Sequence, residues 1–378
     1  MIENILLVIF LFLLIHYLFF LIKIYFGLNK LSVKTNEQIV DEYVSVLIPF
    51  RNEEEFILRI LNSLESQNYP EDKFEVIFID DNSIDNSKSI LEKNIKKKNF
   101  RVISVPNDYS RKAHKKRAIR YGIENSKGEI IVTTDADCVH PKSWLKSLLS
   151  FMDKETGFVS GPVEFFSSNK FFEQLQKLEF AGLVITGAGL IGSNSPIICN
   201  AANIVYRRKA FDEVGGFSFQ MNLSSGDDEL LMQKIFRDTD YKISFALDKD
   251  AIVKTESNSS LKQFYNQRKR WASKGLFYKN KFLILKLILI YLFYLSFIIL
   301  PVLGFLLGKI FFLIFALSLT TKIIFEFILL KKGFELLSNK ESLKLFLVAE
   351  IFHIPYIIIA GLSGAFGNYQ WKGRTISR

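Results

Sequence analysis

The feature that most limits what this chain can fold into is the placement of its apolar residues. Residues 4–22 form an almost unbroken run of Leu, Ile, Val and Phe with one strongly polar interior residue, His16. A helix rising about 1.5 Å per residue over that run reaches across the hydrocarbon core of a bilayer. Three more apolar segments occupy 282–307, 310–330 and 343–366, joined by short links that carry Lys309 and the lysines between 331 and 344. An ordinary globular core is not concentrated at the two ends of a chain, so membrane segments bracketing one soluble domain are expected. The divisions are an anchor over 1–24, a soluble α/β domain over 40–260, an amphipathic interfacial helix over 261–281, a membrane region over 282–366 and a basic tail over 367–378.

A cleaved signal peptide does not fit, because the basic residues follow the first run and no small-residue cleavage site appears. Lys23, Lys30 and Lys34 come after that run, whereas Glu3 is the only charged side chain before it. The bias of basic residues toward the cytoplasm then puts the soluble domain in the cytosol, on an integral protein of the cell (inner) membrane. Two cysteines, Cys138 and Cys199, cannot build a disulfide framework, which agrees with a reducing compartment. The formal charge of +10 is crowded into 88–120 and 262–281. No nucleic-acid motif accompanies it, so membrane lipids or a phosphorylated substrate are the expected partners and nucleic acid is not.

Within the middle region, 43–49 reads as a buried strand, followed by helical periodicity through Phe56, Ile60, Leu61 and Leu64. A second strand over 74–79 ends in Asp80-Asp81-Asn82-Ser83, with a helix starting near Asn86. Strands over 100–105 and 129–134 flank a helix over 113–125. Repeated strand and helix imply a mostly parallel sheet that gathers ligands at the carboxyl ends of its strands. Farther on come a helix over 142–152, a strand over 158–163 and a long amphipathic stretch from Lys170.

The candidate chemistry stands at those strand ends. Asp135-Ala136-Asp137 closes a strand with carboxylates two residues apart, a spacing that turns both toward one bound cation and its diphosphate. Asp80 and Asp81 close a neighbouring strand; helix capping needs only Asn82 or Ser83, so the two acids point to a further donor. Gly226-Asp227-Asp228-Glu229 places three acids before a helical pattern, more than the helix dipole requires, and one of them is a candidate general base. Gln267, Arg270 and Trp271 share a helix face at i, i+3 and i+4, with Arg268, Lys269 and Lys274 spread around the remaining surface.

Taken in order over Val44 to Trp271, these motifs resemble a family-2 glycosyltransferase of the GT-A fold, in the membrane-bound branch with cellulose, chitin and hyaluronan synthases. Pro49-Phe50-Arg51-Asn52-Glu53-Glu54 is similar to the opening nucleotide-binding loop, and Asp80-Asp81-Asn82-Ser83 to the element that holds the uridine. Lys115 falls at the lysine of the GKxxAL segment, with His114 in place of its glycine. Asp135-Ala136-Asp137 matches the DxD, whose second aspartate usually takes the metal, and Asn200 to Phe217 resembles the acceptor-side segment. Asp227-Asp228 stands at the ED pair, and Gln267, Arg270 and Trp271 match QxxRW. The tail Trp371-Lys372-Gly373-Arg374 is also similar to that of membrane-bound members.

The resemblance implies inverting, metal-dependent transfer of a sugar from a nucleotide diphosphate sugar, UDP-linked in the first instance, to a hydroxyl of a lipid or growing glycan. It makes Asp228 the base, with Gln267, Arg270 and Trp271 completing the catalytic set. Pro49, Arg51, Glu53, Asp80, Asp81, Lys115 and Asp135 would hold the donor, and Asp137 with Asp135 would bind Mg²⁺ or Mn²⁺. Two other readings fit parts of the chain: a nucleotide-sugar-binding membrane protein without catalysis, and a dinucleotide-dependent oxidoreductase. The second rests on Gly187-Ala188-Gly189-Leu190-Ile191-Gly192, which satisfies GxGxxG but lacks a compact strand–turn–helix context.

Overall fold

Strands buried on both faces read as continuous apolar runs, and the sheet is built from such runs. In the computed structural model, helix α1 (Ile2–Asn29) leads into β1 (Val44–Phe50), α2 (Ile57–Glu65), β2 (Phe74–Asp80), α3 (Ser87–Asn94), β3 (Phe100–Ser104), α4 (His114–Glu124) and β4 (Ile130–Thr133). Next come α5 (Trp144–Leu149), β5 (Thr156–Ser160), β6 (Val163–Phe165), α6 (Phe171–Gly192), β7 (Ile204–Arg207), α7 (Arg208–Glu213), α8 (Glu229–Asp238), β8 (Lys242–Phe245), β9 (Val253–Thr255) and α9 (Leu261–Ala272). Helices α10 (Lys281–Leu306), α11 (Ile310–Leu337) and α12 (Phe346–Ala365) follow, then the hairpin β10 (Tyr369–Trp371) and β11 (Arg374–Ile376). The structure describes residues 1–32, 40–109, 114–218, 226–275, 278–337, 340–365, 369–371 and 374–376. Lys34, Ala113, Ser225, Leu276, Phe366, Lys372, Gly373, Ser377 and Arg378, which enter the sequence reading, lie outside those residues.

Seven strands form one sheet in the order β3-β2-β1-β4-β7-β5-β8. Only β7 runs against its neighbours β4 and β5, so the sheet is mostly parallel, as expected. Pairing of Phe50 with Asp80 and of Leu47 with Thr133 brings the carboxyl ends of β1, β2 and β4 to one edge. The expected strand over 158–163 is in fact two: β5 enters the main sheet, while β6 pairs with β9. Pro162 stands between them and cannot donate to a ladder, and a Cβ at Gly161 would lie 2.2 Å from the Asn203 side chain.

The stretch from Lys170 departs further from expectation. It is a 22-residue helix, α6, apolar and long enough to cross a membrane, as are α1, α10, α11 and residues 343–364. Half of its most apolar window is buried against the rest of the protein. The GxGxxG residues belong to this helix and not to a strand-to-helix turn. A Cβ at Gly189 would lie 2.4 Å from Ile24 Cγ2, and one at Gly192 would lie 2.1 Å from the Gly27 carbonyl oxygen. Those glycines let α6 approach the backbone of α1, and the dinucleotide reading loses its structural context.

Helices α1, α10 and α11 pack together. Between them Tyr17 donates to Glu326 at 2.5 Å and meets the Tyr294 hydroxyl at 3.0 Å, while Lys322 pairs with Glu326 at 3.0 Å and with Glu350 of α12. Glu326, Glu350 and His353 lie close enough to hold a metal ion, but the Lys322 ammonium already supplies the cation there. Helix α12 lies along α9, and the 340–345 turn before it touches α6. A Cβ at Gly364, near its far end, would meet Ala272 of α9 at 2.6 Å.

Candidate active site

The edge where β1, β2 and β4 end opens into a cavity of about 430 Å³. Pro49, Arg51, Glu53, Asp81, Lys115, Asp135, Asp137, Asp228, Gln267, Arg270 and Trp271 all line it, so eleven of the twelve residues given catalytic, donor-binding or metal roles above converge there. Asp80 does not. Its carboxylate accepts from the Ser83 amide at 2.9 Å and closes the turn after β2, a local capping role. Asn82 in that turn has φ +61°, a conformation Asn tolerates.

Asp81 is buried at the end of β2, with the Arg117 guanidinium on one oxygen and the His114 ring 3.9 Å from the other. Arg51 donates to the Asp81 carbonyl at 2.7 Å and to that of Asn82, tying the loop after β1 to the loop after β2. Arg117 had no assigned role in the sequence reading; it falls inside the lysine motif, but nothing in the spacing shows that it turns back to Asp81.

The DxD carboxylates reach the cavity by a different route from the one expected. Strand β4 ends at Thr133, and Asp135-Ala136-Asp137 forms a turn in which the Cys138 amide donates to the Asp135 carbonyl at 3.2 Å. The turn, not strand alternation, carries both acids to the same space, with Ala136 buried between them. Buried His140 braces the turn from behind, bonded to Ser63 at 3.1 Å and to Thr134 at 2.9 Å, and burial pushes its pKa down to about 3.

The three acids of the third motif also share the cavity. Asp227 precedes the helix, Asp228 is its N-cap with φ −99° and ψ −82°, and only Glu229 lies within α8. Lys115 bridges Asp135 at 2.6 Å and Asp227 at 3.1 Å. Burial alone would lower the Lys115 pKa, but the two carboxylates outweigh it and hold the ammonium well above the ordinary lysine value. Burial likewise works to raise Asp227, and Lys115 with Lys116 outweighs it, so that the carboxyl lies below its usual value. Lys116 itself is pushed down by burial to about 8.

A second bridge sits beside the first. Lys274 lies 3.1 Å from Glu229 and 3.6 Å from Asp228, and Tyr278 donates to Glu229 at 2.9 Å. Burial raises the Glu229 pKa; for Lys274 burial acts downward, and Asp228 and Glu229 outweigh it to hold the ammonium up. Asp228 accepts from the Ala201 amide at 3.1 Å, which links it to the loop before β7. Lys274 and Arg268 are both buried, contrary to their expected surface positions, because each pairs with acids that are distant in sequence. Lys274 and Tyr278 were missed as cavity residues, since they follow the QxxRW helix with no pattern that shows which way they face.

An apolar wall comes from α6: Phe180, Leu183, Val184 and Gly187. Phe180 lies 6.0 Å from the Trp271 ring. One half of the cavity therefore carries carboxylates and ammonium groups, and the other adjoins a helix apolar enough for a membrane.

Residues 45–215 match the family described as Glycosyl transferase family 2. The chain is 30% identical over 209 residues to Glycosyltransferase AglE of Haloferax volcanii, covering 54% of this chain and 65% of that one. It is 27% identical over 246 residues to Probable glycosyltransferase YdaM of Bacillus subtilis, covering 64% and 57%. The chain thus spans less than two thirds of either relative. Among solved structures, the mannosyltransferase PcManGT from Pyrobaculum calidifontis in complex with GDP-Man and Mn2+ superposes with a TM-score of 0.56 at 18% identity, over 94% of this chain and 98% of that one. The sheet order, the motifs at its carboxyl edge and the match over 45–215 agree in a glycosyl transferase family 2 domain over those residues, in a GT-A fold.

Proposed function

We propose that this protein transfers a sugar, with inversion, from a nucleotide diphosphate sugar to a hydroxyl of a lipid or growing glycan at the cytosolic face of a membrane. The observation that carries the reading is the meeting, in one cavity, of the DxD turn, the two lysine–carboxylate bridges and the apolar α6 wall. In this reading Pro49, Arg51, Glu53 and Asp81 hold the nucleoside of a donor for which a UDP-sugar is the first choice. Asp137 and Asp135 present hard carboxylate oxygens of the kind Mg²⁺ and Mn²⁺ prefer, and they fit such an ion. When bound, the cation offsets charge on the departing diphosphate. Lys115, held charged by its two carboxylates, adds positive charge on the same side.

Asp228 is the base on the acceptor side. One of its oxygens is held by the Ala201 amide and the other faces Lys274 at 3.6 Å, so the carboxylate is oriented to take the acceptor hydroxyl proton. Attack at the anomeric carbon then breaks its bond to the diphosphate in a single displacement, which inverts the centre. The Trp271 ring and the α6 side chains give the acceptor an apolar bed, which favours a lipid.

The test is to present membranes containing the protein with a panel of radiolabelled nucleotide sugars, with and without chelator, and to extract the lipids. Metal-dependent label in an extractable product is expected, and Asp137→Ala should abolish it with the fold intact. Full activity of Asp137→Ala in chelator removes the metal from the mechanism. Nucleotide-sugar binding with neither transfer nor hydrolysis would favour the non-catalytic reading instead.

A further inference from the structure

The QxxRW helix carries a residue whose side chain turns away from the cavity. Arg268 on α9 is 2% exposed. It donates to Glu179 of α6 and, at 2.8 Å, to the side-chain oxygen of Gln267. Its guanidinium carbon lies 4.2 Å from the centre of the Trp271 ring and 4.7 Å from that of Phe264. The other carboxylate oxygen of Glu179 accepts from the Tyr356 hydroxyl of α12 at 3.1 Å. A buried guanidinium is tolerated only when it is paired, and its planar fork fixes both the carboxylate it binds and the ring it stacks on.

Each contact bears on a cavity residue. The Gln267 oxygen accepts from Arg268 and, at 2.9 Å, from Asn258, so both bonds hold the side chain from behind while it lines the cavity. Trp271 is covered by the guanidinium and neighboured by Phe180, which fixes the plane of its ring. A short helix such as α9 shifts its side chains by about 100° for each residue of slip, so its setting has to come from outside. That setting is supplied by α6 through Glu179 and by α12 through Tyr356, and α12 is itself pinned to α11 by the Lys322–Glu350 pair.

We propose that Glu179, Arg268 and Tyr356 are positioning residues for the transfer, setting Gln267, Arg270 and Trp271 for the acceptor and making α12 part of the active-site scaffold. The proposal rests on the transferase reading above. It is tested on the full chain in lipid nanodiscs with two variants, Tyr356→Phe and the double Glu179→Gln, Arg268→Met, which removes both charges together. UDP and GDP affinity is measured by calorimetry and the acceptor kcat/KM by labelled transfer.

Tyr356→Phe should lower acceptor kcat/KM about threefold to tenfold and the double variant by about 10- to 100-fold, with nucleotide affinity unchanged. Acceptor kcat/KM within about twofold of wild type in the double variant overturns the proposal. If the double variant binds no nucleotide because it fails to fold, Tyr356→Phe decides alone, and unchanged kcat/KM there overturns it. If the wild type itself transfers nothing, the transferase reading fails separately. Tryptophan emission then decides the positioning role: Arg268→Lys should shift it, with no shift in a Trp271→Phe background. An identical emission for Arg268→Lys and wild type overturns the placement of Trp271 by Arg268.

Discussion

Replacing Asp228 by Asn keeps the shape of the side chain and removes its ability to take a proton. The structure indicates what else the change costs. The amide oxygen can still accept from the Ala201 amide, now 3.1 Å from the carboxylate. Lys274 loses a partner at 3.6 Å but keeps Glu229 at 3.1 Å, so no buried ammonium is left uncompensated. The folding cost should therefore stay near the about 1–3 kcal/mol of one weakened charged hydrogen bond. Loss of general-base catalysis lowers turnover by about 10²–10⁴, which is about 3 to 5 kcal/mol in the barrier. Asp227→Asn is the matched control: Lys115 would retain Asp135 at 2.6 Å, and turnover should fall much less. The assay is initial-rate transfer of label from the active donor identified by the panel, alongside donor affinity by calorimetry, which should hold for Asp228→Asn. Near-normal turnover in Asp228→Asn together with a dead Asp227→Asn would refute the assignment by one residue while leaving the enzyme class standing.

Gly189→Leu should force α6 off α1, because even a Cβ there meets Ile24 Cγ2 at 2.4 Å; the thermal midpoint should drop by several degrees, for a cost of about 1–3 kcal/mol. Gly182→Ala, whose added Cβ has its nearest neighbour at 3.6 Å, should be close to neutral, and equal midpoints for both variants would remove the close-packing argument. Burial raises the folded pKa of Glu229 above its ordinary 4.5, so its contribution to stability is present below that value and is lost as pH rises through the folded pKa. Asp227 is depressed, and its contribution is lost as pH falls through its folded pKa. Glu229→Gln should therefore gain on wild type in thermal midpoint as pH climbs from about 4.5 toward 7, and parallel curves would contradict this. Topology gives a further expectation: α12 carries Glu350, His353 and Pro355 and lies along α9, so its segment should be re-entrant or interfacial, with the tail on the active-site side. A cysteine placed at Ser377 should stay unlabelled by an impermeant reagent outside intact cells; labelling there would reverse the arrangement.

The parallel strands and the apolar ends could be read from the chain because each is a local pattern: a buried run such as FEVIFID, or about 20 apolar residues together, has few alternative homes. The motif residues were legible for the same reason, since strand ends gather on one edge whatever the loops between them do. Direction and pairing were not legible. Arg268 and Lys274 look like solvated members of a basic run, and only partners far away in the chain, Glu179 for one and Glu229 for the other, make their burial tolerable. Asp80 and Asp81 are indistinguishable in sequence; one closes its own turn while the other is held by Arg117, which lies 36 residues on. Gly189 and Gly192 spell a nucleotide-binding pattern, and what decides their use is the backbone of α1 packed against them. Local periodicity thus determined the elements and where ligands would gather, whereas long-range charge pairing and close packing decided which side chains face the cavity and which hold it in place.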